Sequence, residues 1–248
     1  MKKIIFFGLI SFLLAAIWQL PLSIAKPYIE KIAKNIKLTD VSGTIWNAQA
    51  KQLSINNTRI DNVSWKIRPL QSLASLSLNT SFNINDKNLT AKGYAKITPK
   101  QTLILDDTRF SLDASYLNTL QKNAKLSGDI IGQIKHAVLE KQELPMIKGV
   151  VNWNSAAITS PIRLPQGDYH ALITPDDNGL NIKLSSSDAP AELNGNIKID
   201  KKWLYDADLS VKARDKGFAS MLGFIGRKAA DGSVKIKQKG DLKPFLKK

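Results

Sequence analysis

A chain of 248 residues, 43% hydrophobic, has room for one large β domain or two small ones and is too apolar for disorder. It contains no cysteine, which excludes disulfides, thiol catalysis and Cys-ligated zinc and leaves the compartment open. The formal charge of +15 favours anionic partners. The excess is nearly all lysine, spread through alternating runs such as Lys235, Lys237 and Lys239, the pattern of a solvated sheet face rather than a binding patch.

Met1-Lys2-Lys3 precedes an apolar run from Ile4 to Trp18 interrupted only by Gly8 and Ser11. Continued through Gln19 to Ile24, it reaches the roughly 20 residues that a bilayer requires. The side chains facing lipid would include Ile4, Phe6, Phe7, Leu9, Phe12, Leu13, Leu14, Ile17 and Trp18. Two readings compete. Ser23-Ile24-Ala25 ahead of Lys26 matches a signal-peptide cleavage site. The same residues match an uncleaved anchor over 1–25 with Lys2 and Lys3 held inside, although Lys26, Lys31 and Lys34 blur the orientation. Both place the remainder outside the cytoplasm.

A linker helix is predicted within 26–38. Pro27 suits a first helical turn, and Ile29, Ile32, Ala33 and Ile36 share one face. Packing of that face on the following domain is favoured over contact with a membrane surface.

From 39 to 248 the periodicity becomes alternating. Leu53-Ile55 and Ile60-Ile67 read as strands, with turns at Asn56-Asn57 and Asp61-Asn62 and a stop at Pro69. Leu73, Leu76 and Leu78 lead into Phe82-Ile84, and Asp86-Lys87-Asn88 turns the chain into Leu89-Ile97. Leu103-Leu105 and Phe110-Leu112 follow, then a helical patch from Ser115 to Gln121. The second half repeats the style. Strands are predicted at Ile130-Leu139, Ile147-Trp153, Tyr169-Ile173, Leu180-Leu184, Leu193-Ile199, Leu204-Val211 and Val234-Lys237, with a hairpin turn at Asp176-Asp177-Asn178-Gly179. Phe218, Met221, Leu222 and Ile225 line a second short helix ending at Gly226. The expectation is a mainly β protein: an N-terminal transmembrane helix, then a curved, largely antiparallel sheet wet on one side, with two short helices.

Landmarks recur in order. Ser42-Gly43-Thr44-Ile45-Trp46 is echoed at Ser127-Gly128-Asp129-Ile130 and Asp231-Gly232-Ser233-Val234. Trp65 corresponds to Trp153 and Gly93 to Gly195, each glycine followed by an apolar helix-like patch. Two copies of one β unit are predicted, about 41–126 and 127–240. Gly43, Gly128 and Gly232 either bend the sheet or end turns before strands, and Trp46 is a packing residue.

No constellation carries catalysis. His136 and His170 stand in strands without metal-spaced partners, Asp106-Asp107 and Asp176-Asp177 read as turns, and nucleophile-elbow, P-loop and dinucleotide motifs are absent. Cofactor and metal sites are therefore not expected. Dispersed aromatics and export argue against nucleic acid.

Val41-Ser42-Gly43-Thr44-Ile45-Trp46, with Ala48 and Ala50, and Ser64-Trp65-Lys66-Ile67-Arg68-Pro69-Leu70 resemble the type II secretion system protein N family. Lys125-Leu126-Ser127-Gly128, Gly149-Val150-Val151-Asn152-Trp153, Gly167-Asp168-Tyr169 and Met221-Leu222-Gly223 extend the likeness over nearly the whole chain, whose Lys- and Asn-rich composition and loops are its own. The resemblance implies a Gram-negative inner-membrane protein with its bulk in the periplasm, a non-enzymatic accessory component of protein export across the outer membrane that contacts other secretion subunits. It favours the anchor over the cleaved peptide. The family in turn resembles AsmA-like proteins, which implies an alternative: phospholipid handling on an apolar sheet face. A continuous, uncovered aliphatic face would favour lipid, and a face covered by the short helices would favour scaffolding.

Overall fold

The computed structural model describes residues 16–56, 58–119, 124–160, 164–214, 219, 222 and 227–246. It divides into two units, Met1–Pro99 and Lys100–Lys248. In the first, helix α1 (Leu22–Ile32) precedes strands β1 (Ile36–Gly43), β2 (Asn47–Ile55) and β3 (Thr58–Ile67); helix α2 (Pro69–Ala74) then leads to β4 (Leu78–Asn85) and β5 (Leu89–Ile97). These strands pair antiparallel in chain order.

In the second unit β6 (Leu103–Asp113), a 3-10 turn (Ala114–Thr119), β7 (Lys125–Leu139), β8 (Met146–Ser160), β9 (Leu164–Asp176), β10 (Gly179–Ser186), β11 (Ala191–Asp200) and β12 (Leu204–Ala213) follow one another. Short β13 (Arg227–Lys228), β14 (Val234–Asp241) and α3 (Lys243–Leu246) complete it, with β14 lying between β12 and β13. The protein is mainly β, built as open antiparallel sheet with few helices.

Local signals placed the elements well where turns are tight. Asp86-Lys87-Asn88 joins β4 to β5, with Asn88 N–H bound to the Asp86 carboxylate at 2.9 Å. The Asp176–Gly179 turn joins β9 to β10, with Asn178 N–H donating to Asp176 at 2.8 Å.

Polar pairs inside strands misled. Asp61-Asn62 lies within β3 and Asp106-Asp107 within β6, and neither is a turn. Asp40, Asn62 and Asp107 adopt positive φ (50°, 52° and 44°), which Asp and Asn tolerate better than other side chains. One such residue absorbs a one-residue slip of the alternation without ending the strand. The slip runs coherently through three strands: Leu38, Leu53 and Ile60 stand opposite one another, and two steps of the register away stand Val41, Ala50 and Val63. Leu103–Leu105 and Phe110–Leu112 are accordingly one strand.

Two helical boundaries also differ from expectation. α1 begins five residues before Pro27, because Leu22 is the residue that packs, 1% exposed. It ends before Ile36, which instead pairs with Ile55 in β1. Leu73 belongs to α2, a helix that the alternating reading overlooked and that Pro69 starts at its first turn. Ser115 to Thr119 of the Ser115–Gln121 patch lie in the 3-10 turn, and Leu120 and Gln121 lie outside the described residues.

The anchor residues Ile4, Phe6, Phe7, Leu9, Phe12, Leu13 and Leu14 lie outside the described residues, as do Phe218, Met221 and Ile225 of the second short helix. Leu222 is helical and buried. Among the described residues no helix is long and apolar enough to cross a membrane.

Candidate functional site at the N-terminal edge of the sheet

The Ser42–Trp46 stretch forms the β1–β2 hairpin. Gly43 has φ 87°, and a Cβ there would strike the Asn47 carbonyl oxygen, so the turn requires glycine. Thr44 closes it, donating its N–H to Asn47 O (3.0 Å) and accepting the Asn47 N–H on Oγ1 (3.2 Å).

The N-terminal segment is tied to this hairpin. Ile45 N–H donates to Leu20 O at 3.1 Å, and Pro21 bridges Thr44. Trp46 Nε1–H donates to Ile17 O at 3.0 Å, and its indole stacks on Trp18 with centroids 5.9 Å apart. Trp46 O in turn accepts Ile67 N–H at 2.7 Å. Sequence reading placed Trp46 and Trp18 in separate roles; their pairing across the hairpin carries no sequence signal.

α1 then lies along the outer edge of β1. Its Glu30 carboxylate accepts the Leu38 N–H (2.7 Å) and sits 3.7 Å from Lys26, covering an edge that would otherwise invite strand pairing. The inward side of α1 includes Leu22 and Ile29, while Ile24, Tyr28 and Ile32 are exposed on the outside.

The other singled-out residues sit as follows. Trp65 stands between Ala48 and Phe82, and Phe82 faces Gly93. Trp153 stands between Ile130 and Tyr169 and donates Nε1–H to Ser127 O at 3.0 Å. Burial raises the Tyr169 hydroxyl pKa above its ordinary value. Gly195 lies between Leu184 and Leu209. Gly128 has φ 102° at a register shift within β7, and Gly232 has φ 80° in the turn before β14. The repeated glycines thus share a backbone conformation but serve three local contexts.

The two faces of the second unit differ most clearly from β10 to β14. One carries the register row Ile134, Gly149, Ile173, Ile182, Ile197 and Ala207, and beside it Ile130, Trp153 and Tyr169. Its large side chains are half-buried, and among the described residues no second sheet layer lies over them. The opposite face carries Val150, Leu172, Lys183, Asn196, Asp208 and Lys237 in one row, exposed and aliphatic in β8 and β9 and polar from β10 onward. There Lys237 pairs with Asp208 at 3.2 Å and Lys239 with Asp206 at 2.8 Å; the Asp206 bond holds the Lys239 ammonium above its ordinary pKa.

Strand pairing also gives both histidines partners that their spacing concealed. His136 Nδ1 lies 2.7 Å from the Asp106 carboxylate directly opposite in β6. His170 Nδ1 lies 2.7 Å from Asn152 Oδ1, and its Nε2 3.0 Å from Ser187 Oγ. Serine, imidazole and amide stand in triad order, but Ser187 is exposed and its own N–H is spent on Asp168 O (3.0 Å) rather than aimed at a developing oxyanion. Among the described residues no group of three His, Asp or Glu side chains could hold a metal.

These features define an open β-sheet protein whose first hairpin is bonded by the segment Ile17 to Pro21. The model of the family described as type II secretion system (T2SS), protein N matches residues 34–237. The chain belongs to that family. No curated protein and no solved structure matches it.

Proposed function

We propose that this protein is a non-catalytic accessory component of the type II secretion machinery. Residues 1–25 hold it in the inner membrane of a Gram-negative cell, 26–38 link the anchor to the sheet, and 39–248 work in the periplasm among other secretion subunits. The observation that carries this reading is the family match across 34–237. The apolar run supports the anchor, and the bonds from Ile17 and Leu20 into the Ser42–Trp46 hairpin give that anchor a fixed attachment. Positive φ at Gly43, Gly128 and Gly232 supports a duplicated unit, about 41–126 and 127–240.

Loss of secretion of type II substrates on deletion of the protein, restored by the wild-type chain, is the expected result. Unchanged secretion in a strain dependent on that pathway would sink the assembly role. A reporter fused after Lys248 should be active only when periplasmic.

A second reading, phospholipid handling, rests on the uncovered apolar face of the second unit. It is the outcome that distinguishes lipid from scaffolding on physical grounds, since scaffolding needs no half-buried aliphatic row without a covering layer. Detergent-purified protein should then carry phospholipid above the level of a single-span control protein. Equal levels would remove this reading and leave the assembly role intact.

A further inference from the structure

The bonds that tie down the N-terminal segment lead directly to a second exposed apolar cluster in the first unit. Ile17 O accepts from Trp46, Trp46 O accepts from Ile67, and α2 begins two residues later at Pro69. α2 buries none of its residues. Its Leu70 and Leu73 are 80% and 73% exposed, and Leu76, just past its end, is 76% exposed. Trp18, at the end of the apolar run, is 58% exposed.

Leu76 occupies a position that the fold assigns to another residue type. α2 ends in a Schellman arrangement: Ser77 N–H donates to Ser72 O (3.0 Å) and Leu76 N–H to Leu73 O (3.3 Å), with Leu76 at φ 46°. Glycine normally stands there, because a Cβ in the left-handed region crowds the backbone. A large apolar side chain is disfavoured first by the backbone and then by water. Among the described residues of the first unit nothing repays either, which points to a contact beyond them.

From this we infer that the α2 end of the first unit rests on the bilayer surface, with Leu70, Leu73, Leu76 and Trp18 seated at the headgroup–acyl boundary. The occupant is lipid because of where the apolar N-terminal run ends. Because Leu20, Pro21 and Leu22 are bonded to or packed on the first unit, the span left to the bilayer is 1–18, at the short end of the roughly 17–25 residues a crossing takes. Trp18 and Trp46 then stand at the interface, the depth that indoles favour. The Trp46–Ile67 bond holds the start of α2 beside them. Exposed leucines on a short helix at that depth bury their apolar area in the acyl boundary instead of water. The inference rests on the anchor reading above and adds a second contact to it.

The absence of cysteine makes the test direct. Full-length Leu73→Cys, Leu9→Cys and Lys183→Cys variants each take one environment-sensitive fluorophore and are reconstituted in phosphatidylethanolamine–phosphatidylglycerol vesicles carrying doxyl-labelled lipid. The expected result is a blue-shifted label at positions 9 and 73, both quenched by the lipid, and an unquenched label at 183. Quenching at 9 without quenching at 73 overturns the inference and leaves the anchor standing. No quenching at either overturns both. A blue shift at 73 without lipid quenching means that protein, such as a second copy, covers the leucines, and overturns it too. Leu76→Gly in the Leu73→Cys background should raise the thermal midpoint while reducing the quenching; a lowered midpoint would show that the fold itself requires Leu76 and would overturn the argument.

Discussion

Trp46 and Trp18 stack with ring centroids 5.9 Å apart, and the same Trp46 indole donates a hydrogen bond to the carbonyl of Ile17, next to Trp18. One side chain of the first hairpin therefore grips the N-terminal segment by both its backbone and its ring. Aromatic contacts of this kind are worth about 0.5–1.5 kcal/mol and the hydrogen bond about as much. In a double-mutant cycle, Trp18→Ala and Trp46→Ala should couple by about 1 kcal/mol in denaturant unfolding, and Trp46→Phe should keep the stack while losing the bond. Additive effects within about 0.3 kcal/mol would mean that the two rings do not support each other.

The three recurrent glycines should differ in their cost of substitution although all have positive φ. At Gly43 an added Cβ meets Asn47 backbone, and at Gly128 it lies 2.5 Å from Asn154 O, whereas at Gly232 nothing stands within 4 Å. Gly232→Ala should cost only the backbone term, about 1–2 kcal/mol, and Gly43→Ala and Gly128→Ala more. Equal costs at all three, measured by urea unfolding, would show that the crowding is relieved by small backbone shifts.

Asp231 titrates below its ordinary value because its carboxylate accepts the Ser233 hydroxyl at 2.7 Å and the Ser233 N–H at 3.1 Å. A depressed folded-state pKa means that the contribution to the β13–β14 turn is complete above the ordinary Asp value, near ~3.9, and fades as pH falls through the lower folded one. Ser233→Ala should move the Asp231 carboxyl midpoint, followed by NMR, upward. A midpoint that stays in place would assign the depression to another source, such as the Lys212 charge.

An uncovered face predicts mild truncation costs. Ile182 stands half-buried in the apolar row between Ile173 and Ile197. Ile182→Ala should cost about 1 kcal/mol, well short of the 2–5 kcal/mol of a closed core. A cost in the core range would reveal that something covers this face in solution.

What the residues determined locally was the class of structure. Alternation and the Asp86–Asn88 and Asp176–Gly179 turns define an antiparallel β protein, because strand period and turn chemistry are set by neighbours in the chain. The Ser42–Trp46 and Trp65–Leu70 stretches also carried the family resemblance that the match over 34–237 establishes. Tertiary structure decided what depends on register. Asp106 meets His136, and Asn152 meets His170, only because antiparallel pairing sets distant residues opposite one another. Asp61-Asn62 stayed in a strand because the neighbouring strands slip in step with it. α2 hid because Leu76 and Leu78 alternate into β4, although Leu70 and Leu73 are three apart; Pro69 and the Ser72–Ser77 bond close its two ends. And Trp46, readable from sequence as a packing residue, received its partner from a segment 28 positions earlier (46 − 18) through a hairpin fold that no local pattern encodes.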